Sequence, residues 1–177
     1  MDYKIIVLDL DGTLTNRDKI ITPRTRDALM EAQKAGNIVV LASGRPTPGV
    51  EPLARELEMD RFGSYILSYN GGMITNCKTG ETVFSSLLPL EANGKIIGLA
   101  KEHRVDILTY EGEEVITNNR ECPYAISESN INHLPLRQVD DMEAYVDFQV
   151  PKFIMLDDGD YLVTVEPKVK AAMGRDF

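Results

Sequence analysis

The first part of the chain alternates between apolar runs and amphipathic stretches. Residues 5–8 form an unbroken apolar run, which is typical of a strand buried on both faces of a parallel sheet. Thr22 and Pro23 then suit the start of a helix, and Gly36 suits its end. Further elements are expected as a strand over 38–42, a helix over 50–57 and a strand over 64–68. This β-α-β-α-β order predicts a parallel sheet with right-handed crossovers.

The pattern changes after residue 72. Two short runs, 73–76 and 82–86, flank a Lys-Thr-Gly turn and predict a hairpin. Beyond the hairpin we expect a helix over 90–103, strands over 105–110, 114–117 and 152–156, and a helical stretch over 161–173. Because Pro167 lies inside the last stretch, one continuous helix is not expected there. Residues 118–141 have weak periodicity and receive no element.

These elements predict an α/β fold made of two parts. Residues 1–84 are expected to form a Rossmann-like parallel sheet core, and residues 85–177 an inserted α+β cap domain. The simplest arrangement is a lid over the carboxyl edge of the sheet, where open α/β folds bind their ligands.

Composition narrows the classes of partner. The chain has 177 residues, of which 43% are hydrophobic, and a formal net charge of −9. This charge argues against nucleic acid or an anionic membrane surface as the main partner. No apolar run approaches the roughly 20 residues of a membrane span.

Cysteine and histidine are scarce, which limits the chemistry of the site. Cys77 and Cys122 form neither a CxxC pair nor an evident disulfide frame, so we expect a reducing, cytoplasmic location. Because His103 and His133 are the only histidines, few residues are available to form a zinc site or a Ser-His-Asp triad.

Polar residues follow each of the three parallel strands. Asp9 and Asp11 come after the first, Ser43 after the second and Asn70 after the third. A carboxylate at this edge can attack an electrophile or bind a metal, and a second one nearby can carry a proton. The hydroxyl and N–H groups around Ser43, with the Arg45 guanidinium, can hold phosphoryl oxygens. From the two carboxylates alone, an acidic turn remains an equal alternative.

Three motifs together make a family resemblance specific. Residues 9–14 read DLDGTL, residues 42–46 read ASGRP and residues 69–72 read YNGG. In this order and context they resemble the motifs of the haloacid dehalogenase-like phosphatase superfamily, in its Cof-type subfamily. Only one helix fits between the first two motifs, so the resemblance implies the later, larger (C2) type of cap.

The resemblance implies a role for each matched residue. Asp9 is the nucleophile that forms an aspartyl-phosphate, and Asp11 protonates the leaving alcohol and then activates water. The Asp9 carboxylate and the Asp11 backbone carbonyl bind Mg²⁺, and Ser43 hydrogen-bonds the phosphoryl group. The remaining phosphate-binding candidates are Gly12, Thr13, Gly44, Arg45, Asn70 and Gly71.

Three of these candidates keep a structural alternative. Thr13 can simply satisfy the turn, Arg45 can pair with a surface acid, and Asn70 can cap its strand. The resemblance also leaves the leaving group open. Four polar cap residues are candidates to contact it, although a solvated face is the favoured explanation for each of them: Glu113, Asn118, Arg120 and Tyr124.

The implied activity is Mg²⁺-dependent hydrolysis of small phosphate monoesters, sugar phosphates among them. A phosphomutase or transferase is a lesser alternative, because the aspartyl-phosphate can be passed to another alcohol. A truncated, catalytically incomplete relative that binds phosphorylated ligands or partners without turnover is the non-enzymatic alternative. A calcium loop of the EF-hand kind fails, because Leu14 stands where glycine is required.

Two motifs of the family are missing from the chain. Its lysine and its later acidic pair normally follow the cap, whereas Lys168 and Lys170 lie in a predicted cap helix. An acidic cluster, Asp157, Asp158 and Asp160, fits a turn or a helix start better than a metal site. We therefore expect an incomplete core and a truncated product, a proteolytic fragment or part of a longer chain.

An incomplete core has a consequence for the first strand. Without its second neighbour, the strand over residues 4–10 becomes an exposed, hydrophobic sheet edge. Such edges pair with other chains, so self-association through this strand is expected.

Overall fold

The computed structural model describes residues 4–174, which form two compact units divided between Ser86 and Leu87. Each unit contains one sheet with its own hydrophobic core. Within residues 4–174, no helix has the length and apolar character needed to cross a membrane.

The first unit is built on a five-stranded sheet of order β1-β2-β3-β4-β5. Its elements are β1 (Ile5–Asp9), α1 (Pro23–Lys34), β2 (Ile38–Ala42), α2 (Thr47–Glu56), α3 (Met59–Phe62), β3 (Tyr65–Ser68), β4 (Met73–Asn76) and β5 (Thr82–Ser85). Strands β1, β2 and β3 are parallel, which confirms the predicted sheet core. Strands β4 and β5 form the predicted hairpin and extend the same sheet in antiparallel fashion.

Helix α1 begins and ends as its sequence predicts. Thr22 is the N-cap, its hydroxyl accepts a hydrogen bond from the Thr25 N–H at 3.2 Å, and Pro23 occupies the first helical position. The buried residues of this helix are Leu29, Met30 and the polar Gln33. The Gln33 amide donates to the Leu57 carbonyl at 2.9 Å and accepts from the Ser64 hydroxyl at 3.0 Å, so burial leaves it satisfied.

Strand β1 corrects one prediction. It is not buried on both faces: Ile5 and Val7 are 57% and 59% exposed. Ile6 and Leu8 point the other way, into the core that α1 and α2 cover. The prediction was wrong because β1 lies at the edge of the sheet and its second face has no helix against it in the described chain.

The second unit has a four-stranded mixed sheet of order β8-β7-β6-β9. Its elements are α4 (Leu90–Glu102), β6 (Asp106–Glu111), β7 (Glu114–Thr117), α5 (Pro123–Asn132), β8 (Leu136–Gln138), α6 (Met142–Tyr145), β9 (Ile154–Leu156) and α7 (Gly159–Met173). Helix α5 and strand β8 lie in the stretch to which the pattern assigned nothing. Because α5 buries only Ala125 and Asn132, its apolar periodicity is too weak to detect.

Helix α7 corrects a second prediction, since it runs unbroken through Pro167. The proline leaves the Val163 carbonyl without its helical donor. Val163 is 70% exposed, so water can reach this part of the helix and hydrate that carbonyl. At the start of α7, the Asp158 carboxylate accepts from the Asp160 N–H at 2.9 Å, which confirms that the acidic cluster begins a helix.

Candidate functional site

The carboxyl ends of the three parallel strands lie in one row. Asp9 of β1 stands opposite Ala42 of β2, and Ala42 stands opposite Leu67 of β3. The chain therefore leaves all three strands at the same edge of the sheet, and the residues that follow are neighbours. This is the edge at which open parallel sheets bind ligands.

The loop after β1 projects a short polar segment from a buried base. Leu10 and Leu14 are 0% and 2% exposed, and the Leu14 N–H donates to the Asp9 carbonyl at 3.0 Å. Gly12 has a φ of +82°, a conformation that favours glycine. The exposed residues between the two leucines are Asp11, Gly12 and Thr13.

Asp11 is held by two cations. The Arg45 guanidinium donates through Nη2 to Oδ1 at 2.7 Å and through Nε to Oδ2 at 3.2 Å, and Lys19 Nζ lies 2.7 Å from Oδ1. The hydrogen bond from Arg45 is the main reason that the pKa of Asp11 is lowered; partial burial opposes it, and Lys19 adds to it. Asp11 is therefore a carboxylate in this state. Arg45 thus makes the contact foreseen as its structural alternative.

Lys19 is the residue of this cluster that sequence reasoning missed. Its backbone has a φ of +62°, and its N–H donates to the Asn16 carbonyl at 3.1 Å. The Asn16 side chain fixes the turn by accepting from the N–H groups of Asp18 and Ile20. The polar run from Asn16 signals a turn, but it does not reveal which side chain points back to Asp11.

The loops after β2 and β3 are tied together by their backbones. The Asn70 N–H donates to the Ser43 carbonyl at 3.1 Å, and the Tyr69 N–H to the Arg45 carbonyl at 2.9 Å. A Cβ at Gly44 would lie 3.1 Å from the Asn70 amide nitrogen, so glycine permits this close approach. The Ser43 hydroxyl accepts from the Arg45 N–H at 3.2 Å. The structure thus brings Ser43, Gly44, Arg45 and Asn70 together.

The third loop has an unusual backbone. Tyr69 and Asn70 both have left-handed conformations, with φ values of +51° and +58°, and Gly71 follows with +95°. Two consecutive non-glycine residues of this kind are strained, and such strain concentrates at functional sites. The strain supports a role for this loop beyond ending the strand.

Two oxygen donors at this edge of the sheet suit a hard cation such as Mg²⁺. The Asp9 carboxylate and the Asp11 carbonyl supply oxygen, which Mg²⁺ prefers, and Mg²⁺ commonly uses one or two carboxylates with water and substrate phosphate. Within residues 4–174, no group of three or more His, Cys, Asp or Glu side chains is placed to hold a metal. A cation here would depend on ligands beyond these two residues.

The four polar candidates of the second unit differ in their hydrogen bonding and exposure. Asn118 accepts from the Ile107 N–H at 2.8 Å and donates to Asp106 at 3.1 Å, which favours a structural role. The other three candidates are exposed: Glu113, Arg120 and Tyr124. Their contact with a leaving group stays a prediction.

Comparison with known proteins matches nearly the whole chain to one family. Residues 6–177 match the family model described as haloacid dehalogenase-like hydrolase. The chain is 32% identical over 158 residues to the Bacillus subtilis protein named "Putative phosphatase YxeH", a match that covers 88% of this chain and 58% of YxeH. It is 36% identical over 94 residues to the 5-amino-6-(5-phospho-D-ribitylamino)uracil phosphatase YwtE of the same organism, covering 53% of this chain and 30% of YwtE.

A solved structure shares the fold closely. The crystal structure of a haloacid dehalogenase-like hydrolase from Bacteroides thetaiotaomicron has a TM-score of 0.89 and 42% sequence identity, and the match covers 95% of this chain and 63% of that one. The chain spans about three fifths of the length of YxeH and of the Bacteroides hydrolase.

Proposed function

Because this chain belongs to the haloacid dehalogenase-like hydrolase family, in its Cof-type subfamily, we propose that it is a Mg²⁺-dependent phosphatase of small phosphate monoesters. Sugar-phosphate-like metabolites are the proposed substrates. Among the relatives, YwtE carries a phospho-ribityl compound in its name, which supports a small phosphorylated metabolite.

One observation carries the proposal. Asp9 ends β1, Ser43 follows β2 and Asn70 lies just beyond β3, so all three stand at the aligned ends of parallel strands. Arg45 and Asp11, from the loops after β2 and β1, are in direct contact. Carboxylate, hydroxyl, amide and guanidinium groups at one edge are the set that phosphoryl transfer needs.

The proposed reaction has two steps. An Asp9 carboxylate oxygen attacks phosphorus, the bond from phosphorus to the ester oxygen breaks, and Asp11 protonates the leaving alcohol. Water then attacks the aspartyl-phosphate, its proton passes to Asp11, and the bond from phosphorus to Asp9 breaks to release phosphate. Ser43 and the N–H groups of its loop hold the phosphoryl oxygens in both steps. Mg²⁺, held by Asp9 and the Asp11 carbonyl, would neutralise charge that develops on the phosphoryl group.

The state of Asp11 suits only part of this cycle. Arg45 and Lys19 favour its carboxylate form, which is the form that accepts a proton from water. To donate a proton to an alcohol, the Asp11 carboxylate must first take one up, and release from either cation would favour this by raising its pKa.

A binding protein without turnover is the second candidate. It is favoured by the small number of metal donors among residues 4–174, where no cluster of three or more ligating side chains occurs. In that case the same edge would hold a phosphorylated ligand through Ser43 and Arg45, with no step at Asp9.

Three further assignments accompany the proposal. Residues 1–84 are assigned to the catalytic core and 85–177 to the cap that selects the leaving group. Cys77 and Cys122 are both free thiols, which supports a reducing, cytoplasmic location. The exposed edge at β1 supports self-association of the chain.

A chromogenic phosphate ester with Mg²⁺ tests the function. We expect turnover by the natural chain and a loss of about a thousandfold or more in Asp9→Asn, because the amide cannot act as the nucleophile. Asp18→Asn is the matched control, since Asp18 is an exposed carboxylate in the next turn of the same loop. Equal turnover by Asp9→Asn and the natural chain would remove Asp9 from the chemistry, and phosphate binding without turnover would favour the second candidate.

A further inference from the structure

The Asp11 carboxylate stands between two cations that converge on one of its oxygens. Arg45 Nη2 and Lys19 Nζ each lie 2.7 Å from Oδ1, while Arg45 Nε lies 3.2 Å from Oδ2. The Arg45 side chain is only 12% exposed, so its guanidinium is held in place at the loop that carries Ser43. Two of the guanidinium donors are therefore occupied by Asp11.

A phosphate bound at Ser43 would compete with Asp11 for those donors. Arginine binds carboxylate and phosphate through the same parallel pair of N–H groups. The backbone places Arg45 two residues after Ser43, with the Arg45 N–H on the Ser43 hydroxyl at 3.2 Å. Asp11 thus occupies the guanidinium that we assign to the proposed phosphate site.

The turn that carries Lys19 positions its ammonium group to bind Asp11 together with Arg45. The left-handed backbone of Lys19 costs energy, and the surrounding turn maintains that backbone through the Asn16 side chain. A bridge between Thr15 and Ile21 closes the turn at its base. This arrangement aims the Lys19 ammonium at the oxygen that Arg45 Nη2 also binds.

We propose that Lys19 is a positioning residue that retains Asp11 when Arg45 transfers its donors from Asp11 to the phosphoryl group. The proposal rests on the proposed function, because it needs a phosphate at Ser43. While Lys19 is present, transfer of Arg45 leaves Asp11 with a partner. Without Lys19, phosphate must displace Arg45 from a carboxylate that has no other cation, so phosphate binds more weakly.

Binding of inorganic phosphate, measured by calorimetry in EDTA, tests the exchange without relying on catalysis. Lys19→Met is expected to weaken phosphate affinity about two- to fivefold, the scale of a partly exposed charge pair. Arg17→Met is the matched control: it removes one positive charge from an exposed position of the same loop, and we expect no change.

A double-mutant cycle separates competition from general charge. Asp11→Asn is expected to strengthen phosphate affinity about three- to tenfold, because it releases Arg45. In an Arg45→Met background the same change should give little gain, whereas simple relief of repulsion would persist there. Arg45→Lys keeps the charge but loses the bidentate pair of N–H donors, so it serves as a second background if Arg45→Met does not fold. Circular dichroism confirms that each variant is folded.

The outcomes distinguish the two proposals. If the natural chain binds phosphate and Lys19→Met binds it equally well, the role of Lys19 is refuted and the phosphatase proposal stands. An undiminished gain from Asp11→Asn in the Arg45→Met background also refutes the exchange. If neither the natural chain nor Asp11→Asn binds phosphate, either in EDTA or with Mg²⁺ present, the phosphate site itself is refuted, and the exchange with it.

Discussion

At the scale of single residues, burial and local charge set the reactivity of side chains outside the site. Burial raises the pKa of the Cys77 thiol to about 11, and the nearby carboxylates of Asp60 and Glu51 add to the effect. Burial lowers the pKa of Lys152, whose ammonium lies 5.4 Å from the centre of the Tyr110 ring. Both shifts favour the neutral form, since each charged form would lose hydration.

Cys77 is therefore expected to react slowly with iodoacetamide. The thiolate is the reactive form, so a pKa of about 11 instead of 9.0 lowers the rate at pH 8 about a hundredfold relative to the unfolded chain. The rate should rise as pH approaches 11, because the thiolate fraction rises. Mass spectrometry of the Cys77 peptide, with and without urea, measures this ratio. Equal rates at pH 8 in the native and unfolded chains would show that the native thiol is not shielded.

At the scale of elements, the helix that separates the first two motifs depends on local signals at its start. The Thr22 hydroxyl accepts from the Thr25 N–H and also lies 2.9 Å from the Thr25 hydroxyl. Helix α1 follows directly, packs Leu29 into the core, and connects the end of β1 to β2. Its cap therefore helps to fix where the connection between the two strands becomes helical.

Replacing the cap should weaken the first unit measurably. Thr22→Ala is expected to lower the free energy of unfolding by about 1 kcal/mol, because the Thr25 N–H loses its acceptor. Thr22→Ser retains the hydroxyl and should lose at most a few tenths of that amount. Urea unfolding followed by circular dichroism gives both values, and an equal loss in the two variants would assign the effect to the threonine methyl group.

At the scale of the whole molecule, the open edge and exposed face of strand β1 govern the expected association of the chain. Among residues 4–174, strand β1 has a hydrogen-bonded neighbour on one side only, and Ile5 and Val7 are more than half exposed. A short, apolar edge of this kind can add a strand from a second molecule. Association through β1 is thus the expected behaviour of the chain at high concentration.

A lysine on this edge should reduce the association. In analytical ultracentrifugation the natural chain is expected to gain average mass with concentration, and Val7→Lys to remain monomeric over a wider range, because a charged side chain on an edge strand opposes pairing. Val163→Lys is the control, since Val163 is 70% exposed but lies on α7. A natural chain that stays monomeric throughout, or equal association by Val7→Lys, would contradict pairing through β1.

The amino-acid sequence by itself determined the alternation of strands and helices in the parallel part of the first sheet and the three loops of the site. Its signals are local: an apolar run before Asp9, the Thr22 cap before α1, and Gly44 beside Ser43. Each of these signals involves residues that are close in sequence, because strand formation, capping and turn geometry depend on short-range sterics and hydrogen bonds. Family motifs at those loops then pointed to the candidate chemistry.

Tertiary structure decided what those loops contact and which faces are buried. Lys19 reaches Asp11 only because a left-handed residue in a closed turn redirects the chain, and Arg45 reaches Asp11 across 34 positions of sequence. The exposure of Val7 likewise follows from which strands and helices lie beside β1. Such contacts join residues that are distant in sequence, so their geometry is set by packing of the whole unit and not by any local pattern.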